Sequence, residues 1–252
     1  MYNFQLQEEM LNISLALLGE RGITDPSALG GGTALSAYYW QHRFSTDIDI
    51  FIYCDTANVL NQIDPRKTSP DIKARLAKIN YTDDLKKHPI YTELAIDDDS
   101  KMQFFTVEGF TSTPYSKVTL WGKTILIESI EEIIAKKIFY RCGDANSRDL
   151  FDIAIAIHKD PTILMSINVK KEKIESLMNS VSTISENEDL ISTYREDIRM
   201  MSPAEEYIDI AENAIIYLEK FLLSYLGGLD MNIQDMDEYC EEIKRHSYST
   251  DN

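Results

Sequence analysis

Two carboxylates share one face of an otherwise apolar run, Asp47-Ile48-Asp49-Ile50-Phe51-Ile52-Tyr53. Alternation with a period of two reads as a strand, so Asp47 and Asp49 point one way while Ile48, Ile50 and Ile52 point the other. Neighbouring negative charges on such a strand cost free energy unless a positive charge sits close to them. A divalent cation is the usual solution. Upstream lies the glycine cluster Gly30-Gly31-Gly32, followed by a segment of helical character from Thr33 to Trp40. Glycines ahead of a helix let phosphates rest on main-chain N–H groups. Strand, cation and glycine turn together imply a site for a metal-bound nucleotide.

The rest of the chain supplies the frame. Apolar side chains at helical spacing fill residues 4–19, and Gly19 and Gly22 end that segment. Ala28-Leu29-Gly30 reads as a short buried strand. Asp55 to Asn61 reads as a short helix capped by Asp55 or Thr56, and Pro70–Ile79 as a helix capped by Ser69. Strands are expected at Ile90–Ile96 and Met102–Val107, and Lys117–Trp121 with Lys123–Ile127 bracket a bend at Gly122. From Ser129 onward the pattern is helical. Ser129-Ile130-Glu131-Glu132 is a capping box, Ser147 opens a second helix, and Pro161 ends it. Four more helices are expected at about 168–181, 185–200, 203–226 and 232–246, with Gly227-Gly228 closing the third of them. The domain boundary is placed near residue 160, giving 1–160 and a helical 161–252.

Composition narrows the class. The chain has 252 residues, 44% hydrophobic and 27% charged, enough to build a core without staples. Cys54, Cys142 and Cys240 are too widely spaced for a metal motif and read as reduced thiols. No signal-like start and no run of membrane-spanning length is present, so a cytoplasmic protein is expected. The net charge of −17 excludes a global basic footprint for nucleic acid and leaves room for a local one. It also suits a cationic substrate or a basic partner.

Other residues can join the site. Arg43, in the loop before the strand, can clamp phosphate or pair with a carboxylate, and Ser45 can fix the turn or touch phosphate. His42 reads as a packing histidine rather than a base. Lys137 leans toward the buried face of its helix through Ile133 and Ile134, so it needs an anionic partner, carboxylate or phosphate, and phosphate is favoured. Lys136 reads as solvated. Arg148-Asp149-Leu150-Phe151-Asp152 puts carboxylates in a helix's first turn, where they form an ion network or orient Lys137.

Taken together, Gly31-Gly32-Thr33-Ala34-Leu35, His42-Arg43-Phe44-Ser45-Thr46-Asp47-Ile48-Asp49-Ile50-Phe51, Ala135-Lys136-Lys137-Ile138 and Arg148-Asp149-Leu150-Phe151-Asp152 resemble the AbiEii toxin nucleotidyltransferase family, over residues 28–158. That family lies within the DNA-polymerase-β-like nucleotidyltransferase superfamily. The resemblance implies an α+β fold, a polymerase-β-like mixed sheet flanked by helices, followed by a helical C-terminal domain. It implies Mg²⁺-dependent transfer of a nucleotidyl group from an NTP, tRNA as an acceptor, and a toxin with a cognate antitoxin in a type IV system. By position, Gly31, Gly32 and Thr33 would bind phosphate, Asp47 and Asp49 would bind metal, and Lys137 would contact the triphosphate. Many superfamily members carry a third carboxylate on a later strand. The matching strand here offers Gln103, with Glu93 and Glu108 near in sequence. Two rival readings stay open: an aminoglycoside-type enzyme acting on a cationic small molecule, and a non-catalytic nucleotide- or partner-binding module.

Overall fold

The structure is a computed structural model and describes residues 2–55, 58–143 and 146–227. It divides into two compact units, residues 1–129 and 130–252. The helix expected at 232–246 and the candidate cap Thr56 lie outside the described residues.

The first unit is built on a seven-stranded mixed sheet. Its strands are β1 (Ser27–Leu29), β2 (Ile48–Tyr53), β3 (Leu85–His88), β4 (Tyr91–Ala95), β5 (Lys101–Val107), β6 (Tyr115–Leu120) and β7 (Lys123–Glu128), in the order β3-β4-β5-β2-β1-β7-β6. β2 sits at the centre, antiparallel to β1 and parallel to β5. Its inward side chains Ile48, Ile50 and Ile52 are fully buried, as are Met102 and Phe104 beside them. Helix α1 (Gln5–Glu20) covers that face, with Met10, Ile13 and Leu17 fully buried and the Ser14 hydroxyl 3.3 Å from Met102 Sδ. Burying one such Ile or Leu is worth roughly 1.5–3 kcal/mol. Asp47 and Asp49 therefore face away from α1. The glycines lead into α2 (Gly31–Thr33), which continues as a π-helical segment, Ala34–Tyr39, closed by the Trp40 N–H to Leu35 carbonyl bond at 2.8 Å. Two further helices, α3 (Asn58–Gln62) and α4 (Pro70–Lys78), complete the unit, and Ser69 caps α4 as its sequence predicts.

The second unit is helical: α5 (Ile130–Arg141), α6 (Ser147–Lys159), α7 (Ile163–Ser166), α8 (Lys171–Ser185), α9 (Glu188–Met200) and α10 (Ile208–Leu226). The sequence reading ends the first domain near residue 160, whereas α5 and α6 pack with α8, α9 and α10. α9 begins later than expected because the Asn187 side chain accepts from the N–H groups of Asp189 and Leu190. A 3₁₀ turn at Glu205–Tyr207 takes the start of the expected 203–226 helix.

Two elements have no counterpart in the sequence reading. β3 shows no apolar alternation, since Lys86, Lys87 and His88 are all exposed, and its pairing with β4 defines it. α7 is a single short turn of helix. No helix among the described residues is long and apolar enough to cross a membrane.

Candidate active site

The glycine turn is pressed against the paired aspartates. Gly31 has φ +62°, and a Cβ there would lie 2.1 Å from Asp49 Oδ2. Only glycine meets both demands, the left-handed backbone and the missing side chain. A Cβ at Gly32 would lie 2.4 Å from the Arg43 guanidinium and 3.1 Å from Ser45 Oγ. At Gly30 it would meet Glu128 Oε2 at 2.2 Å. The main chain is tied in as well. The Gly30 N–H donates to the Asp49 carbonyl at 2.9 Å, and the Lys101 N–H donates to Asp47 Oδ1 at 3.2 Å.

Of the candidate residues, six gather in the first unit around this turn: Gly31, Gly32, Thr33, Arg43, Ser45 and Asp49. Asp47 joins them through Thr33, whose buried hydroxyl is bonded to Ser45 Oγ at 2.9 Å and donates to the Asp47 carbonyl. Arg43 is buried at 3% exposure and donates to the Phe44 carbonyl at 3.0 Å. His42 is fully buried against Trp40, with ring centroids 5.4 Å apart.

Lys137, Asp149 and Asp152 meet in the second unit. Lys137 pairs with Asp149, and its Nζ lies 2.9 Å from Asp152 Oδ2. Arg141 reaches Asp149 Oδ2 at 3.1 Å, and the Asn146 side chain both accepts the Asp149 N–H at 2.9 Å and donates to its carboxylate at 2.8 Å. Burial alone would raise the Asp149 carboxyl, but Lys137 and Arg141 outweigh it and hold it below the ordinary carboxylate value. Arg148 is exposed. Lys136 corrects the sequence reading: it is buried at 6% exposure, 3.1 Å from Glu132 one helical turn before it. The buried face of α5 takes in Glu132 and Lys136 along with Ile133, Ile134, Ala135 and Ile138, so a charged pair sits where the apolar pattern alone would place none.

Of the residues named for the third-carboxylate position, Gln103 and Glu93 lie in register with Asp49. Asp49 pairs with Gln103, and Gln103 with Glu93 on the next strand. The Gln103 amide donates to Glu93 Oε2 at 2.8 Å. The cross-strand register, invisible in a linear sequence, makes this row. Alongside runs an aromatic row, His88, Tyr91, Phe105 and Phe51, with successive ring centroids 4.9, 5.9 and 5.0 Å apart. At the far side Glu128 is buried and accepts from the Tyr53 hydroxyl at 2.7 Å.

Two carboxylates on one strand face, next to a turn with no Cβ, suit a hard divalent cation. Among the described residues no group of three or more His, Cys, Asp or Glu side chains could hold a metal.

The model of the family of nucleotidyl transferase AbiEii toxins, type IV TA system, matches residues 15–207, most of the chain. The chain belongs to the AbiEii family. It is therefore a nucleotidyltransferase, with a nucleoside triphosphate as donor. The matched range holds both constellations, the glycine–aspartate turn and the Lys137–Asp149–Asp152 network. Two solved structures with a TM-score of 0.50 share this fold. JHP933 from Helicobacter pylori is 18% identical with a TM-score of 0.50, covering 99% of each chain. A second Helicobacter pylori protein is 19% identical with a TM-score of 0.50, over 91% of this chain and 98% of its own. The nucleotidyltransferase toxin MenT4 from Mycobacterium tuberculosis is 13% identical with a TM-score of 0.45, over 96% of this chain and 93% of its own. Comparison with curated protein sequences gave no match.

Proposed function

We propose that this AbiEii-family chain is a cytoplasmic toxin that transfers a nucleotidyl group from an NTP to a hydroxyl of tRNA, with Mg²⁺ at Asp47 and Asp49. The observation that carries this reading is the Asp49 carboxylate seated 2.1 Å from where a Gly31 Cβ would lie. A triphosphate can approach that bare turn, and main-chain N–H groups of Gly31, Gly32 and Thr33 would receive its oxygens. Arg43 and Ser45, packed at Gly32, would hold the turn and offset phosphate charge. In the second unit Asp149 and Asp152 fix Lys137, the residue that the family resemblance gives to the triphosphate, and Arg148 is exposed on the helix of the two carboxylates. When bound, Mg²⁺ supplies neutralisation of the charge that develops on phosphate oxygens. The chain's own task is placement: transfer of this kind is mostly geometry and charge compensation. The aromatic row beside Gln103 would offer flat rings to a nucleoside acceptor.

The type IV assignment further calls for a cognate antitoxin. A second reading, a cationic small-molecule acceptor, is favoured by the net charge of −17. The test is incubation of the purified protein with labelled NTPs, Mg²⁺ and total RNA. The expected result is label in the tRNA fraction. Label in no RNA, protein or small-molecule pool sinks the reading. Resistance of expressing cells to aminoglycosides, with no RNA labelled, supports the second one.

A further inference from the structure

Four polar side chains form a row across four strands of the sheet. Lys86 pairs with Glu93, Glu93 with Gln103, and Gln103 with Asp49. Partners in register share a face. Glu93 is 8% exposed, and its carboxylate is held from three sides. Lys86 Nζ lies 2.8 Å from Oε1, Lys101 Nζ lies 3.7 Å from Oε2, and Gln103 Nε2 donates to Oε2 at 2.8 Å. Burial alone raises the Glu93 carboxyl, and the two lysines with the Gln103 amide outweigh it and hold it below the ordinary carboxylate value. Glu93 is thus ionised at neutral pH.

That charge state decides which way the Gln103 amide faces. An ionised carboxylate only accepts hydrogen bonds. Gln103 can meet it only with its NH₂ group, so its oxygen is turned away from Glu93. The neighbour in register on that other side is Asp49.

We propose that Gln103 Oε1 receives the hydrogen bond of the attacking acceptor hydroxyl, and that Glu93 is a positioning residue that holds the amide in this sense. The proposal rests on the reading of Asp47 and Asp49 as the metal-triphosphate site. The chemistry explains why the sense matters. A carbonyl oxygen takes the hydroxyl's hydrogen and leaves its lone pair aimed at phosphorus. A flipped amide would put NH₂ there and donate to the very lone pair that must attack. The amide oxygen does not keep the proton. As the acceptor oxygen–phosphorus bond forms, the bond to pyrophosphate breaks, pyrophosphate leaves, and the hydroxyl proton passes to water.

The experiment compares the full chain with Glu93→Gln, Gln103→Ala and the double variant, using labelled NTPs, Mg²⁺ and total tRNA, with pyrophosphate release to water as a second readout. Glu93→Gln lets the amide flip and lowers kcat about 10- to 100-fold, while KM for NTP stays within about twofold. Gln103→Ala lowers kcat comparably. The double variant is no slower than Gln103→Ala, because Glu93 acts only through the amide. Losses that multiply, or a Glu93→Gln loss that follows only the folded fraction, overturn the proposal. Should Glu93→Gln fail to fold, Lys86→Met at the exposed edge replaces it: a smaller fall in kcat that vanishes in the Gln103→Ala background is expected, and one that persists there overturns the proposal. An unmodified chain with neither transfer nor pyrophosphate release, or full activity in Asp49→Asn, overturns the underlying site reading instead.

Discussion

Asp49 and Gly31 show how one residue can be fixed by another's chemistry. Asp49→Asn keeps shape and removes a cation ligand, so nucleotidyl transfer is expected to fall about a hundredfold or more. Its melting temperature is expected to stay level or rise, because the variant relieves repulsion from Asp47. Thermal melting and label transfer, measured on the same sample, separate the two effects. Gly31→Ala has the opposite effect on stability. The alanine must adopt φ +62°, and its Cβ must displace the Asp49 carboxylate from 2.1 Å. The backbone part alone costs about 1–3 kcal/mol. Denaturant unfolding is expected to show that loss together with inactivity. The sequence already singled out these two residues, since a period of two and a glycine cluster are local signals. Thr33 was less legible: its role as a pin, through Ser45 and the Asp47 carbonyl, depends on three segments meeting.

Helix α6 and the entry to strand β2 each hold a pair of carboxylates whose charge must be offset. At α6, Lys137 compensates two carboxylates. Lys137→Met leaves Asp149 with the Arg141 guanidinium and the Asn146 amide, and Asp152 without this lysine, and unfolding free energy is expected to drop by about 3 kcal/mol. Asp149 binds its proton more weakly when folded than unfolded. Its contribution is therefore present above about pH 4 and is lost as pH falls below that. Asp149→Asn is expected to flatten the acid limb of stability against pH, read by circular dichroism. β2 was legible because Ile48, Ile50 and Ile52 alternate with polar or half-exposed residues. β3 was not, because Leu85-Lys86-Lys87-His88 carries no alternation and becomes a strand only when β4 supplies its hydrogen bonds. The Lys86 end of the row through Glu93 and Gln103 to Asp49 was hidden for the same reason.

Across the whole molecule the net charge of −17 sets a background of self-repulsion. Raising salt from about 0.05 to 0.5 M shortens the screening length several-fold, and the melting temperature is expected to rise. A falling melting temperature would show that the specific ion pairs, Lys137–Asp149 and Lys86–Glu93 among them, outweigh the general repulsion. Local sequence determined the paired aspartates, the glycine turn, the central strand and the helical second half, since each is written in spacing a few residues long. Tertiary structure alone decided that Glu93 and Gln103 stand in register with Asp49, that Lys136 is buried, and that α5 and α6 join the later helices. The physical reason is the same in each case: strand register and helix facing are fixed by partners far away in the chain, whose positions exist only once the core has closed.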